Sequence, residues 1–206
     1  MADAFVFPGG RVDACDHESA AARAQGGAWG ACREAAAREL HEEAAVEIDP
    51  AVLVQWARWI TPSAEPKRFD AFFFVAEVPA GTEARVDGAE VTELMWVSAA
   101  DGLRRHELDR INLQPPTLRT LEELAALTTI DDILRVATHR PLDPIQPKLV
   151  TEGEGETQQM TIVLPWDASF AALPGDGLAI AGTSPLAGGV SRYRLTSGRF
   201  VPAGGS

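Results

Sequence analysis

Arg38-Glu39-Leu40-His41-Glu42-Glu43 lies inside an alanine-rich stretch running from Ala31 to Ala45, with Phe7-Pro8-Gly9-Gly10 upstream of it. Alanine content and charge pattern predict a helix over that stretch. Glu39, Glu42 and Glu43 then stand at i, i+3 and i+4, so one helical face carries three carboxylates. Like charges at that spacing destabilise a bare helix. A cation placed against them removes the penalty. A hard divalent ion such as Mg²⁺ or Mn²⁺, which prefers oxygen ligands, is the natural candidate.

Working outward, Ala4 to Phe7 reads as a short strand ended by Pro8-Gly9-Gly10. Residues 11 to 30 are small, polar and glycine-containing, and read as a loop. Strands are expected at Val52 to Ile60, at Arg68 to Val78 around Phe72-Phe73-Phe74, and at Val91 to Val97. The three phenylalanines read as core. Helices are expected at Ala99 to Leu108, at Pro116 to Leu127, and at Asp131 to Thr138 with Thr129 as its cap. Pro141, Pro144 and Pro147 mark a linker. Beyond it, Lys148 to Glu152 and Gln158 to Leu164 alternate like a hairpin, and a second hairpin turns at Ser197-Gly198. The expected organisation is an α/β domain (α+β) with a mixed sheet over residues 1–140, then a linker and a small β-rich extension over residues 141–206.

The formal net charge of −12 argues against a nucleic-acid scaffold or a membrane-surface binder, both of which need basic patches. It leaves room for a small anionic substrate, because a bound metal reverses the local sign. Cys15 and Cys32 have neither metal-knuckle nor disulfide-framework spacing, which suits a reducing compartment. The densest apolar run, Ala71 to Ala76, is too short to span a bilayer, and the N-terminus lacks a signal-peptide pattern. A soluble cytoplasmic protein is expected.

The helix and the turn before it resemble the Nudix box. Arg38-Glu39-Leu40-His41-Glu42-Glu43-Ala44-Ala45-Val46 agrees with the box at every fixed position but one, where Ala45 replaces the family's glycine. Gly10 stands at the first glycine, and Asp16 stands where the family prefers glutamate. Twenty-one residues separate Asp16 from Arg38 instead of the family's seven, an insertion of fourteen. Such an insertion resembles the coenzyme A diphosphatase branch, as do Thr61-Pro62, Arg68 to Phe73 and Gln114-Pro115-Pro116-Thr117. The likeness covers about the first two-thirds of the chain. It implies an α/β/α sandwich whose first strand is missing, because Met1 lies only six residues before Phe7. A strand of the C-terminal extension, or of a second subunit in a homodimer, is expected to cover the resulting edge.

The resemblance also implies a mechanism. Glu42 and Glu43 are expected as first ligands to Mg²⁺ or Mn²⁺, with the carbonyl of Gly9 or Gly10, and Asp16 as an outer ligand. Glu39 is a ligand or the group that orients or deprotonates water, and Arg38 pairs with a glutamate. A further acid is expected from Glu90, ahead of Glu93. Lys67 and Arg68 are candidates for phosphate contact, and Phe69 for stacking on a base. The implied activity is hydrolysis of a diphosphate linkage in a nucleoside diphosphate derivative, with coenzyme A or acyl-coenzyme A as the foremost substrate. ADP-ribose, NADH and nucleotide sugars are alternatives within the enzyme class. A Nudix-fold binding module without turnover is the alternative from another class. The substrate is a small molecule, with no nucleic-acid or membrane partner.

Overall fold

The alanine-rich stretch is helical from Ala28 to Ala44 (α2) in this computed structural model, which describes residues 4–24, 28–86, 92–152, 158–179 and 189–204. A shorter helix, Ala14–Ala22 (α1), precedes it and packs against it. The sequence reading assigned a loop here. The signal it passed over is a helix start: Asp16 in the first turn accepts a hydrogen bond from the Asp13 N–H at 2.8 Å, the reaching-back half of a capping box. The expected strand at 91–97 is also revised. Val91 lies outside the described residues, and 92–97 carry no strand. Trp96 is solvent-exposed there.

The chain divides into two compact units. One comprises Phe7–Gln55 and Phe74–Val97. It is built on α1 and α2, and Ala31, Ala35, Ala44 and Val46 are buried in it. Arg23 at the end of α1 pairs with Glu34 of α2 at 3.1 Å. The Arg85 N–H donates to the Ala44 carbonyl at 2.8 Å, fastening the returning segment to the end of α2.

The other unit comprises Met1–Val6, Trp56–Phe73 and Ser98–Ser206. Ala4–Phe5 (β1) pairs in parallel with Asn112–Leu113 (β4). Val54–Ile60 (β2) pairs with Asp70–Val75 (β3). The segment that lies along β2 is Ile145, from the proline-containing stretch. It accepts from the Ile60 N–H at 2.9 Å and donates to the Arg58 carbonyl at 2.8 Å. Helices Ala99–Glu107 (α3), Pro115–Ala125 (α4) and Ile130–His139 (α5) follow the expected pattern. Thr129 caps α5, accepting from the Asp132 N–H at 3.1 Å.

Lys148–Glu152 (β5), Gln159–Val163 (β6), Arg192–Thr196 (β7) and Arg199–Ala203 (β8) form an antiparallel sheet of their own in the order β5-β6-β7-β8. Ser197 and Gly198 make the last turn with φ of 50° and 79°. This sheet is fastened to the helices. Tyr193, fully buried, donates to Glu122 of α4 at 2.7 Å, and His106 of α3 bonds the Phe200 carbonyl at 2.7 Å.

Buried charge underlies this docking. Glu123 accepts from Arg119 at 3.2 Å and from Arg140 at 2.9 Å, and all three are buried. The guanidiniums of Arg140 and Arg119 lie over the rings of Trp56 and Trp166, at 4.3 and 5.1 Å. Asp167 takes two bonds from Arg192, at 2.8 and 3.0 Å, and one from the Ser191 hydroxyl. The Arg192 bonds hold its carboxyl far below the usual range, outweighing burial, with Ser169 and Ser191 adding to the effect. A carboxyl depressed in the folded state contributes stability in full above its unfolded value, about pH 3.9, and loses it as pH falls through the folded value. Asp167→Asn therefore gives a lower urea midpoint at pH 7 and a shallower decline below about pH 4 than wild type. Parallel declines in the two proteins would contradict this.

Candidate active site

The Phe7–Gln55 unit gathers the box residues around one guanidinium. Arg38, on α2, donates from Nε to Asp16 Oδ1 at 3.1 Å and from Nη2 to Asp16 Oδ2 at 3.0 Å. Its Nη1 reaches Glu39 Oε1 and Glu42 Oε2, each at 2.9 Å, and Nη2 also reaches the Arg11 carbonyl at 2.9 Å. The Asp16 side chain is only 3% exposed, whereas that of Glu42 is 54% exposed. Burial raises the Asp16 carboxyl, but the Arg38 bonds, the Asp13 N–H and the Arg38 charge together bring it below the usual range. Arg38 is driven up by the Asp16 hydrogen bond first and by Glu39 as well, against its own burial. Asp16 and Arg38 thus make a fixed ion pair, from which the arginine extends to two glutamates.

The glycine turn meets the same helix. The Gly9 N–H donates to Glu43 Oε2 at 2.9 Å. Gly10 lies so close to the Glu39 carboxylate that a Cβ there would overlap it. This explains a glycine at position 10 without invoking unusual torsion angles.

The other end of the box shows why the family uses glycine where this chain has Ala45. The residue follows α2 directly, and its N–H donates to the His41 carbonyl at 2.8 Å with φ of 53°. That left-handed conformation costs an L-residue roughly 1–2 kcal/mol, against roughly 0.5–1 kcal/mol for the extra freedom glycine loses. Ala45→Gly is expected to stabilise the protein by about 0.5–1 kcal/mol in urea unfolding. A lower midpoint would show that the turn is not under strain.

The remaining sequence candidates fall elsewhere. Glu90 lies outside the described residues, and Glu93 is exposed. Lys67, Arg68 and Phe69 belong to the other unit, on the loop between β2 and β3. There the Lys67 ammonium lies 5.0 Å from the Phe69 ring centre, and Arg68 Nε donates to the Thr61 carbonyl at 3.4 Å. Sequence reasoning did not foresee Asp16 as the anchor of Arg38. The Asp13/Asp16 cap spacing was the available signal, since it marks a helix that carries Asp16 in its first turn.

Among the described residues no group of three or more His, Cys, Asp or Glu side chains is arranged to hold a metal ion. The donor set itself suits a hard cation. Glu39 and Glu42 already converge on a single positive group, the Arg38 Nη1, through oxygens alone. Glu42 is open to solvent, and the Gly9-Gly10 backbone stands beside the other two glutamates. Among the described residues no helix is long and apolar enough to cross a membrane.

No family model matches the chain. It is 24% identical over 130 residues to the acyl-coenzyme A diphosphatase NUDT19 of Gallus gallus, an alignment covering 59% of this chain and 33% of that relative's length. Its fold is similar to the crystal structure of a Nudix hydrolase from Alicyclobacillus acidocaldarius. That likeness has a TM-score of 0.56 and 24% identity, and covers 63% of this chain and 79% of the other. The chain thus has a fold similar to that of a Nudix hydrolase, and its glycine turn and Arg38, Glu39, Glu42 and Glu43 stand in the register of the Nudix box, the last four on one helix.

Proposed function

We propose that this protein hydrolyses the diphosphate linkage of a nucleoside diphosphate derivative with the help of Mg²⁺ or Mn²⁺. The observation that carries the reading is the convergence of Glu39 and Glu42 on Arg38, itself held by the buried Asp16, on a helix whose Glu43 meets the Gly9-Gly10 turn. Glu42 and Glu43 would hold the cation, with a carbonyl of Gly9 or Gly10. When bound, the ion neutralises phosphate charge and lowers the pKa of a coordinated water. Glu39 holds or accepts the proton of the attacking water, in a position set by Gly10 and Arg38. Asp16 keeps Arg38 in place, a role its two arginine bonds favour over that of outer ligand. Glu90 remains the candidate for a further acid.

Coenzyme A and its thioesters are the foremost substrates, on the strength of the likeness to a relative named as an acyl-coenzyme A diphosphatase. ADP-ribose, NADH and nucleotide sugars carry the same linkage and form the comparison set. Cys15 and Cys32 are not joined in a disulfide, which fits a reducing compartment, and we place the enzyme in the cytoplasm. A product-resolved panel of these compounds with Mg²⁺ or Mn²⁺ tests the reading. Metal-dependent cleavage of a diphosphate supports it, while none from any compound would leave a binding module.

Gly10→Ala offers a second test. Its new methyl displaces the end of a flexible glutamate side chain and no backbone. Stability should therefore change by less than about 1 kcal/mol, whereas displacement of Glu39 should lower kcat by about 10- to 100-fold. Unchanged kcat with Glu39 displaced would remove Glu39 from the chemistry.

A further inference from the structure

One face of the C-terminal sheet gathers cations. In its register Lys148, Val163, Arg192 and Ala203 are successive cross-strand partners, and so are Val150, Thr161, Arg194 and Val201. Arg199 is the partner of Thr196, two residues on from Arg194. Cross-strand partners, and residues two apart in one strand, share a face. Lys148, Arg192, Arg194 and Arg199 therefore lie on the same face as Thr161. Arg194 and Arg199 stand diagonally across β7 and β8, a separation of about 7–8 Å that long side chains can bridge.

Lys148 and Arg192 have partners supplied by the chain. Lys148 Nζ donates to the carbonyls of Phe170 and Leu173 at 2.8 and 2.6 Å. Arg192 turns its Nε and Nη2 to the buried Asp167, at 2.8 and 3.0 Å. Arg199 and Arg194 differ. The Nε and Nη2 of Arg199, the same two-pronged edge that Arg192 gives to Asp167, are buried and make no hydrogen bond among the described residues. The buried Arg194 Nε makes none either. Nor does the hydroxyl of Thr161, a residue only 1% exposed. Arg199 has Asp109 beside it, with Oδ1 3.0 Å from Nε, but that carboxylate is 75% exposed and does not lie in hydrogen-bonding geometry.

A guanidinium N–H taken out of water without an acceptor is costly, and two such cations on adjacent strands also repel. An oxyanion relieves both. We propose that Thr161, Arg194 and Arg199 form a binding site for a phosphate group, free or carried by a nucleotide. Two phosphate oxygens match the Arg199 edge in the bidentate manner that suits arginine. The remaining oxygens are acceptors for Arg194 Nε and the Thr161 hydroxyl, which a carboxylate, with two oxygens, serves less well. Both arginines are only partly buried, so a small ion can approach them from solvent. The site lies within the C-terminal sheet and does not depend on the diphosphatase reading.

The test is calorimetric titration of the full chain, free of divalent cations, with inorganic phosphate against chloride at matched ionic strength. Wild type should bind saturably with a Kd of about 1 mM or tighter. Arg194→Gln and Arg199→Gln should each raise that Kd about tenfold, the loss of a charge-assisted hydrogen bond. Arg199→Lys keeps the charge but not the two-pronged edge, and should raise it by a similar factor. Asp109→Asn should bind phosphate at least as tightly as wild type, since it removes a neighbouring negative charge. Without phosphate, both glutamine variants should melt no lower than wild type, because each removes a charge whose buried N–H lacks an acceptor. ADP in the same titration separates the sources. Tighter binding than phosphate, lost in the same variants, assigns a nucleotide-borne group; equal or weaker binding assigns the free ion. No saturable phosphate binding to wild type, or binding unchanged in both glutamine variants, would overturn the site. So would a fall in melting temperature of more than about 4 °C in both, which would show the arginines already satisfied in the free protein.

Discussion

Glu42→Gln is expected to lower metal-dependent diphosphate hydrolysis by at least about 100-fold, since groups that merely support a metal ligand are already worth about 10- to 100-fold. The amide keeps the shape of the side chain but gives up the charge that a hard cation requires. Little stability should be lost. The side chain is 54% exposed, and its bond to Arg38 is a solvent-facing i, i+4 contact, worth about 0.5 kcal/mol or less. The melting temperature should stay within about 2 °C of wild type. A folded variant that retains turnover would remove Glu42 from the site, and with it the proposed metal assignment.

The largest effect on stability is expected far from those glutamates. Glu123→Ala withdraws the carboxylate that Arg119 and Arg140 share, at 3.2 and 2.9 Å, from a place where all three side chains are no more than 4% exposed. Two buried guanidiniums then lose a carboxylate they share, although Arg119 keeps Glu122 at 3.4 Å, and removing one partner of such a buried group costs about 3–5 kcal/mol. In a chain of this size that corresponds to a fall in melting temperature of about 6–20 °C. Replacing the whole array with apolar residues of similar volume should cost far less, because no charge is left stranded. A melting temperature for Glu123→Ala within about 2 °C of wild type would show that water reaches the arginines.

The helix carrying the glutamates could be read directly, because alanine content and the i, i+3, i+4 spacing are properties of neighbouring residues. The Thr129 cap, the Ser197-Gly198 turn and the β5–β6 hairpin were legible for the same reason. Helix α1 was missed although its Asp13/Asp16 start was present. Glycines and an apparent insertion drew the reading towards a loop, and helix-to-helix packing then favoured the helical state. The expected strand at 91–97 failed in the opposite direction: an apolar, strand-prone pattern found no ladder over 92–97. Strand propensity becomes structure only where a partner strand is in reach.

Local pattern settles which residues share the acidic helix face and where the glycine turn precedes it, since a few covalent steps dictate both. Tertiary structure decided what those residues touch. Arg38 turns to Asp16, twenty-two positions away, and His106 meets Phe200, ninety-four positions away. The Ala45 backbone is held left-handed, and Glu123 becomes the centre of a buried ion array. Such partnerships depend on which side chains folding removes from water together. Burial makes an unpaired charge costly, and the chain meets that cost with partners that no sequence period specifies.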